Sequence, residues 1–425
     1  MKYSIRLLVS LAAILSTGGA LAQAPESQTD ESTAEAATSP VAHVYVANSN
    51  HVYAFSAAAN GKLTAVPGSP FKEGLSWMGA NGHYLFGFEG SGTTIASFSM
   101  ASNGALRKVA TIDTGDFYSN CCGPYATGFR IDHSGEALYS VAIASGFPGW
   151  TPVESFRIND SDGKLTFLDN TGTSWLSYPG LSTDEGTDLS ILGNNKYAYL
   201  PVNFFFAPPP SPLTSRAPVP DSGGWVCEFV PYERLSSGDL VDSNAKVSIP
   251  APPNDSSDPT QPSPGSFCPV SAASDPTDHF ALMLVAVDGD LGNTYGPAVI
   301  APFTADKDGN LTTTSTYKNM PVSASGGGGW MRMAPSGKIL AVGGAGVELF
   351  HFNGGSPITK YKTILSNEAI GLIFWDNNNH LYAMGANSAG AGELWVYTVT
   401  PTSVTEAPGS PYSIPDAGSM VVQPL

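Results

Sequence analysis

The sequence predicts an all-β fold: a seven-bladed β-propeller of four-stranded antiparallel blades, its ring closed by the C-terminal strand. Three observations predict it. A strand pattern recurs seven times between residues 41 and 425. The chain holds 46 glycines and 34 prolines in 425 residues, where these two types together usually supply about 12%. Charged residues are only 13%, about half the usual share. Many short strands joined by Gly and Pro turns give this composition. A coiled coil, a helical solenoid or a charge-rich disordered chain does not.

The repeat is read from a strand of the form apolar-x-x-aromatic. It occurs as Val52–Phe55, Ile95–Phe98, Val153–Phe156, Val226–Phe229, Ile300–Phe303, Val347–Phe350 and Leu394–Tyr397. A second apolar landmark follows each: Leu63, Leu106, Leu165, Leu240, Leu311, Ile358 and Val404. In five units a glycine stands two residues ahead of it, at Gly61, Gly104, Gly163, Gly238 and Gly309, which marks a hairpin. A polar or Gly turn leading into an apolar strand precedes six of the seven. Asn81-Gly82-His83-Tyr84-Leu85 is one example. Each unit is therefore strand, turn, strand, loop, strand, Gly turn, strand.

A lone four-stranded sheet cannot bury two apolar faces, whereas stacking around an axis buries both and leaves only short edges. The first unit starts at His43–Val46 without a full preceding strand, and the tail Ser419–Leu425 can supply it. Seven matched units and a spare terminal strand favour a ring over an open solenoid or two sandwiches.

Residues 1–22 read as a signal peptide. Lys2 and Arg6 form the basic start, Leu7–Leu15 the apolar run, and Ala20-Leu21-Ala22 the small-x-small cleavage site. That run is too short to span ~30 Å of hydrocarbon, and no later stretch approaches about 18 apolar residues. Residues 23–40 lack aromatics and should be a disordered leader, with the propeller over 41–425. An exported protein, periplasmic or secreted, without a membrane span and monomeric, is expected. The formal net charge of −17 argues against nucleic-acid or anionic-membrane partners, which need a basic face.

Four cysteines fit an oxidising compartment. Cys227 and Cys268 flank a Pro-rich stretch and are expected to pair across it. The adjacent Cys121 and Cys122 are open either to a vicinal bridge or to other partners, because sequence does not choose among the connectivities. Insertions near 203–224 and 250–269 interrupt the repeat. They could lid the channel, meet a protein, or be plain surface loops.

Several stretches share a further pattern. They are Ser134-Gly135-Glu136-Ala137-Leu138-Tyr139, Ala334-Pro335-Ser336-Gly337-Lys338-Ile339-Leu340, His43-Val44-Tyr45-Val46-Ala47-Asn48, and Gly61-Lys62-Leu63-Thr64 with Gly68-Ser69-Pro70. They resemble the units of lactonase-type propellers, the superfamily of bacterial 6-phosphogluconolactonases and YVTN-repeat proteins. The family form of the turn is Pro-Asp/Ser-Gly-x-x-Leu-Tyr-Val. The resemblance covers nearly all of 41–425 and speaks to fold more than to chemistry. It implies a ring with a ligand site at one mouth of its channel. There a true lactonase opens a sugar lactone with water and without an obligatory redox cofactor, so no cofactor and no metal are expected. The chain departs from the family in its Pro-rich insertions and in turns lacking Pro-Asp-Gly. A full His/Glu/Arg set is not matched residue by residue.

Candidate site residues come from the innermost strand of each unit. Five positions before the turn glycine or its equivalent stand Trp77, Arg130, Ser190, Ala273, Arg332 and Ile373. Arg130 and Arg332 share a register, so they could face each other and bind a carboxylate or phosphate, or pair with acids on neighbouring blades. Glu185 and Asp188, with Asp184, precede the inner strand of the fourth unit, and Glu368 that of the seventh. A carboxylate beside the arginines could be the general base on water, or these acids are a solvated loop. Trp77 and Trp330 could stack on a sugar ring or pack between blades.

Other motifs fail on inspection. Asp160-x-Asp162-Gly163 and Asp306-x-Asp308-Gly309 lack the closing Glu of a calcium loop, with Thr171 and Tyr317 in its place, and read better as hairpin turns. The sequence has no His-Glu-x-x-His and no Gly-x-Ser-x-Gly. Two functions follow as expectations. One is an exported hydrolase of a sugar lactone or similar small carbonyl compound at the channel mouth. The other is a non-catalytic propeller that holds a carbohydrate, peptide or protein. They separate on whether Arg130, Arg332 and an acid meet around one water.

Overall fold

A computed structural model describes residues 39–90, 92–114, 124–144, 150–174, 189–206, 224–253, 265–287, 294–324 and 330–425. The expected signal peptide, Cys121, Cys122, Asp184, Glu185 and Asp188 lie outside these residues. The described chain is all-β, in antiparallel sheets that follow one another along the sequence. The second sheet runs Leu75–Ala80, Tyr84–Glu89, Thr94–Met100, Leu106–Asp113. The third runs Pro124–Ile131, Ala137–Ala144, Trp150–Ile158, Leu165–Ser174. The fourth and fifth begin at Ser190–Ile191 and Ser266–Ser274. A last, seven-stranded sheet runs from Met331–Met333 to Val404–Glu406 and Tyr412–Ser413. Its long strand Ser356–Trp375 pairs first with Ile339–Asn353 and then with His380–Ala386. The first sheet takes its innermost strand from the other end of the chain. Ser419–Pro424 pairs antiparallel with Ala42–Ala47, Ser419 opposite Ala47 and Pro424 opposite Ala42.

The packing follows from the two-residue period of a strand, which turns successive side chains to opposite faces. In Ala42–Ala47, Val44 and Val46 pack with Tyr382, Met384 and Val396, while Tyr45 and Ala47 pack with Leu85, Ala96 and Phe98. In Tyr197–Phe206, Ala198 and Leu200 join Tyr139 and Val153, while Tyr199 joins Phe280 and Val299. Among the described residues, seven buried clusters form in this way. Five lie between consecutive sheets, one between the two halves of the last sheet, and one between the last sheet and the first. Each fully buried Val, Leu, Ile or Phe is worth about 1.5–3 kcal/mol of transfer free energy.

The repeat glycines have a specific reason. Gly104, Gly163, Gly238 and Gly309 all adopt positive φ, between 71° and 91°. Their turns also press on the preceding sheet: a Cβ on Gly309 would lie 2.7 Å from the Tyr197 ring, and one on Gly163 2.5 Å from the Tyr84 ring. Buried tyrosines then tie these turns down. Tyr45 Oη donates to Gly104 O at 3.0 Å, and Tyr139 Oη donates to Gly238 O at 2.8 Å. Burial raises the pKa of both hydroxyls, so they remain protonated donors.

A second device starts the turns between first and second strands. Asn81, Asp132, Asp275 and Asp376 each accept backbone N–H bonds from residues two to five positions on. Such side-chain caps hold the turn locally, independently of the ladder bonds. The sheets also run further into the expected insertions than the sequence suggests. Phe206 pairs with Gly224, and Ser266–Ser274 is strand throughout. Cys227 and Cys268 form a disulfide that joins these two strands of neighbouring sheets. No helix of the described residues is long and apolar enough to cross a membrane.

Gly309→Ala should lower stability by more than about 1 kcal/mol, because the new methyl meets both a positive φ and the Tyr197 ring. Tyr139→Phe should cost about 1–3 kcal/mol by orphaning a buried carbonyl. Urea denaturation of the two variants against the parent checks both.

Candidate functional site

The site is built where the inner strands of the sheets end. The backbone N–H that opens each turn marks equivalent points. Asp132 donates to Ala137 O at 2.9 Å, Leu192 to Tyr197 O at 2.8 Å and Asp275 to His279 O at 3.0 Å. Ala334 donates to Ile339 O at 2.8 Å, and Asp376 to His380 O at 3.1 Å. Two residues upstream of these points stand Arg130, Ser190, Ala273, Arg332 and Phe374. All five line the central cavities. Ile373 does not take this place. It is buried in the core of the last sheet, because the positive-φ turn residue that corresponds to Gly135, Asn195 and Gly337 is Asn379, and five positions before Asn379 stands Phe374. In the second sheet the turn from Asn81 to Tyr84 is shorter still, and Gly79 becomes the equivalent position. Trp77 sits two residues before it, inside a bulge between Ser76 and Gly79.

Two cavities meet at the arginines. The wider, about 190 Å³, is lined by Arg130, His133, Ser190, Arg332, Met333 and neighbouring strand residues. The narrower, about 30 Å³, is lined by Trp77, Trp330, Phe374, Leu372, Ser419 and Met420, with both arginines again. Arg130 Nε–H donates to Leu189 O at 2.9 Å and Arg332 Nη1–H to Met331 O at 2.9 Å. The Arg332 guanidinium lies 5.2 Å from the Trp330 ring centroid and 5.3 Å from that of Phe374, in reach of cation–π attraction. The Trp77 and Trp330 rings are tilted at 42° with centroids 5.8 Å apart. Trp77 has φ 47°, a strained conformation for so bulky a residue.

The structure therefore brings Arg130, Arg332, Trp77 and Trp330 around the narrower cavity, with both arginines also on the wider one. Trp77 contacts Trp330, and both border the narrow side. Glu368 is elsewhere. It lines neither cavity, and it precedes Phe374 by six residues of extended strand, roughly 20 Å of rise. Its Oε2 is buried without a hydrogen-bond partner. Among the described residues no carboxylate lines either cavity, and no three His, Cys, Asp or Glu side chains gather as a metal site.

One lining residue escaped the sequence reading. His133, in the turn that follows Arg130, is not among the sequence candidates, yet it lines the wide cavity. The available signal was its place three residues after Arg130. The turn that carries it is anchored by Asp132, whose side chain is fully buried. Asp132 accepts from Ser134 Oγ at 2.7 Å and Asn195 Nδ2 at 3.2 Å, and it pairs with the Arg234 guanidinium. Burial alone would raise its pKa. The bonds from Ser134, Ala137 N–H and Asn195 and the Arg234 charge outweigh burial and hold it below the ordinary carboxylate value.

No family model and no curated protein matches this sequence. Solved structures do match in fold. The periplasmic gluconolactonase of Pseudomonas aeruginosa superposes with a TM-score of 0.56 at 13% identity, over 90% of this chain and 99% of that one. A proposed 6-phosphogluconolactonase from Bacteroides fragilis gives 0.55 at 14% identity, over 94% and 99%. A Lactobacillus plantarum protein gives 0.56 at 13% identity, over 90% and 99%. At these identities the likeness is one of fold alone, an all-β fold shared with the gluconolactonase structures.

Because the Asp132 pKa is depressed, its contribution to stability is present above the unfolded value of 3.8 and is lost as pH falls through the folded one. Glu348 behaves alike. Burial raises its pKa, but Lys360, Ser323 Oγ and Ala324 N–H together lower it below 4.5. Denaturation midpoints should fall steeply on acidification from about pH 5 to pH 3. Asp132→Asn should flatten that fall and cost about 3–5 kcal/mol at pH 7, since Arg234 is left unpaired in a buried place.

Proposed function

We propose that this chain is an exported, monomeric, seven-bladed lactonase-type propeller that hydrolyses a sugar lactone or a similar small carbonyl compound at its hub. The convergence of Arg130 and Arg332, from the third and last sheets, on the same two cavities carries this reading. The seven interface clusters and the pairing of Ser419–Pro424 with Ala42–Ala47 support the blade count and a ring fastened by the C-terminal strand. The fold shared with the Pseudomonas aeruginosa periplasmic gluconolactonase supports the substrate class.

Two guanidinium groups offer planar, permanently charged donors to an oxyanion or a carboxylate. Lactone opening turns a neutral carbonyl into an oxyanion and then a carboxylate, so such donors bind the later states more tightly than the substrate. The reaction also needs a proton acceptor for water. Glu185 and Asp188 lie outside the described residues, and Glu368 stands apart from the cavities.

A second reading, a propeller that binds a sugar acid without chemistry, is favoured by the lack of a carboxylate among the described lining residues. Gluconolactone in a pH-stat separates the two. Proton release above the buffer blank is expected, with kcat/KM lowered about 10²–10³-fold in Arg130→Ala and Arg332→Ala. Calorimetric gluconate binding without proton release from any of a panel of lactones would leave only the binding reading. Activity retained in both variants would remove the arginines from the site. Deleting residues 419–425 should abolish the cooperative thermal transition, as expected if the C-terminal strand fastens the ring.

A further inference from the structure

We propose that His133 is the proton acceptor of this hub, a role that rests on lactone hydrolysis being the reaction. Its ring lines the wide cavity together with Arg130, Ser190 and Arg332. Nε2 lies 3.2 Å from the backbone oxygen of Ile191. A carbonyl oxygen only accepts, so Nε2 carries the hydrogen, and in the neutral ring Nδ1 is left as a bare acceptor. The turn is fixed from behind. The His133 N–H donates to Asn195 Oδ1 at 3.2 Å, and the buried Asp132 is locked by Ser134, Asn195 and Arg234.

Among the described residues, the other polar side chains of this cavity, Arg130, Arg332, Ser190 and Ser274, do not compete for the role, since a serine hydroxyl is a poor proton acceptor beside a neutral imidazole. Arginine does not give up its proton in a protein, and the Ser190 hydroxyl donates to Ala272 O at 3.0 Å. Among the described residues, the charged groups near His133, itself exposed, are Arg130 and Arg332 of the same cavity, the Asp132–Arg234 pair behind the turn, and the exposed Glu136 on it.

The step balances without a further reactant. As the water oxygen bonds to the lactone carbonyl carbon, Nδ1 takes one of its protons. The carbonyl electron pair moves to oxygen and faces the arginines. Collapse restores the carbonyl and breaks the ring C–O bond, and the imidazolium returns its proton to the departing alkoxide. The product is a hydroxy acid whose carboxyl proton goes to solvent, leaving a carboxylate beside the arginines.

The test is His133→Gln, whose amide can still donate to Ile191 O. Its kcat on gluconolactone should fall about 10²–10⁴-fold. The acid limb of the parent pH–rate profile should vanish, while gluconate affinity, carried by the arginines, should change little. In the parent, ¹⁵N NMR of the imidazole should show the Nε2–H form and should move when gluconate is added. A variant that keeps the acid limb overturns the proposal and leaves lactone hydrolysis standing, the more so if Asp188→Asn loses that limb. A parent protein that opens no lactone overturns both. Should His133→Gln fail to fold, an imidazole signal indifferent to gluconate in the parent overturns the proposal by itself.

Discussion

Every sheet in this protein is apolar on both faces, and that constraint governs the rest. A strand such as Ala42–Ala47 is buried at every position, with odd and even residues serving different neighbours. The inner strands of such a sheet have no face to give to water, so among the described residues each sheet buries apolar side chains on both sides. The first and last sheets are bound by the same need. Val44 and Val46 share their cluster with residues some 340 positions away, such as Tyr382 and Met384. The chain ends therefore meet for the reason that any two consecutive sheets meet.

Close stacking makes the turns part of the core. A hairpin glycine in one sheet touches an aromatic ring of the sheet before it, and a buried tyrosine hydroxyl reaches the turn carbonyl. The repeat in the sequence is thus the record of an interface between units. The side-chain caps at Asn81, Asp132, Asp275 and Asp376 act within a unit and set where each inner strand ends.

At the hub the demands reverse. Side chains there face the channel, so a polar group can stand where an interface position would exclude it. Arg130 and Arg332 use this freedom and are steadied by backbone carbonyls, with Arg332 also over two aromatic rings. Bulges in the inner strands, at Ser76/Gly79, Ala126/Gly128, Pro269/Ser271 and Ile370/Leu372, shift which residues look inward. Trp77 owes its strained backbone to one of them.

The amino-acid order alone determined the class of fold, the strand pattern, the spare terminal strand and the shared register of Arg130 and Arg332. These are local or periodic properties, and a two-residue alternation with glycine at fixed intervals records them directly. The Cys227–Cys268 pairing was also legible, because the two cysteines bracket one insertion between adjoining sheets. Only the tertiary structure decided which residues reach the channel. The turn residue with positive φ proved to be Asn379, which puts Phe374 and not Ile373 at the cavity, and Trp77 sits in a bulge of its strand. The separation of Glu368 from the arginines, and the entry of His133 into the cavity, depend on which end of an inner strand a residue occupies. Sequence distance does not convey that end, because successive strands run in opposite directions and bring remote positions to the same mouth.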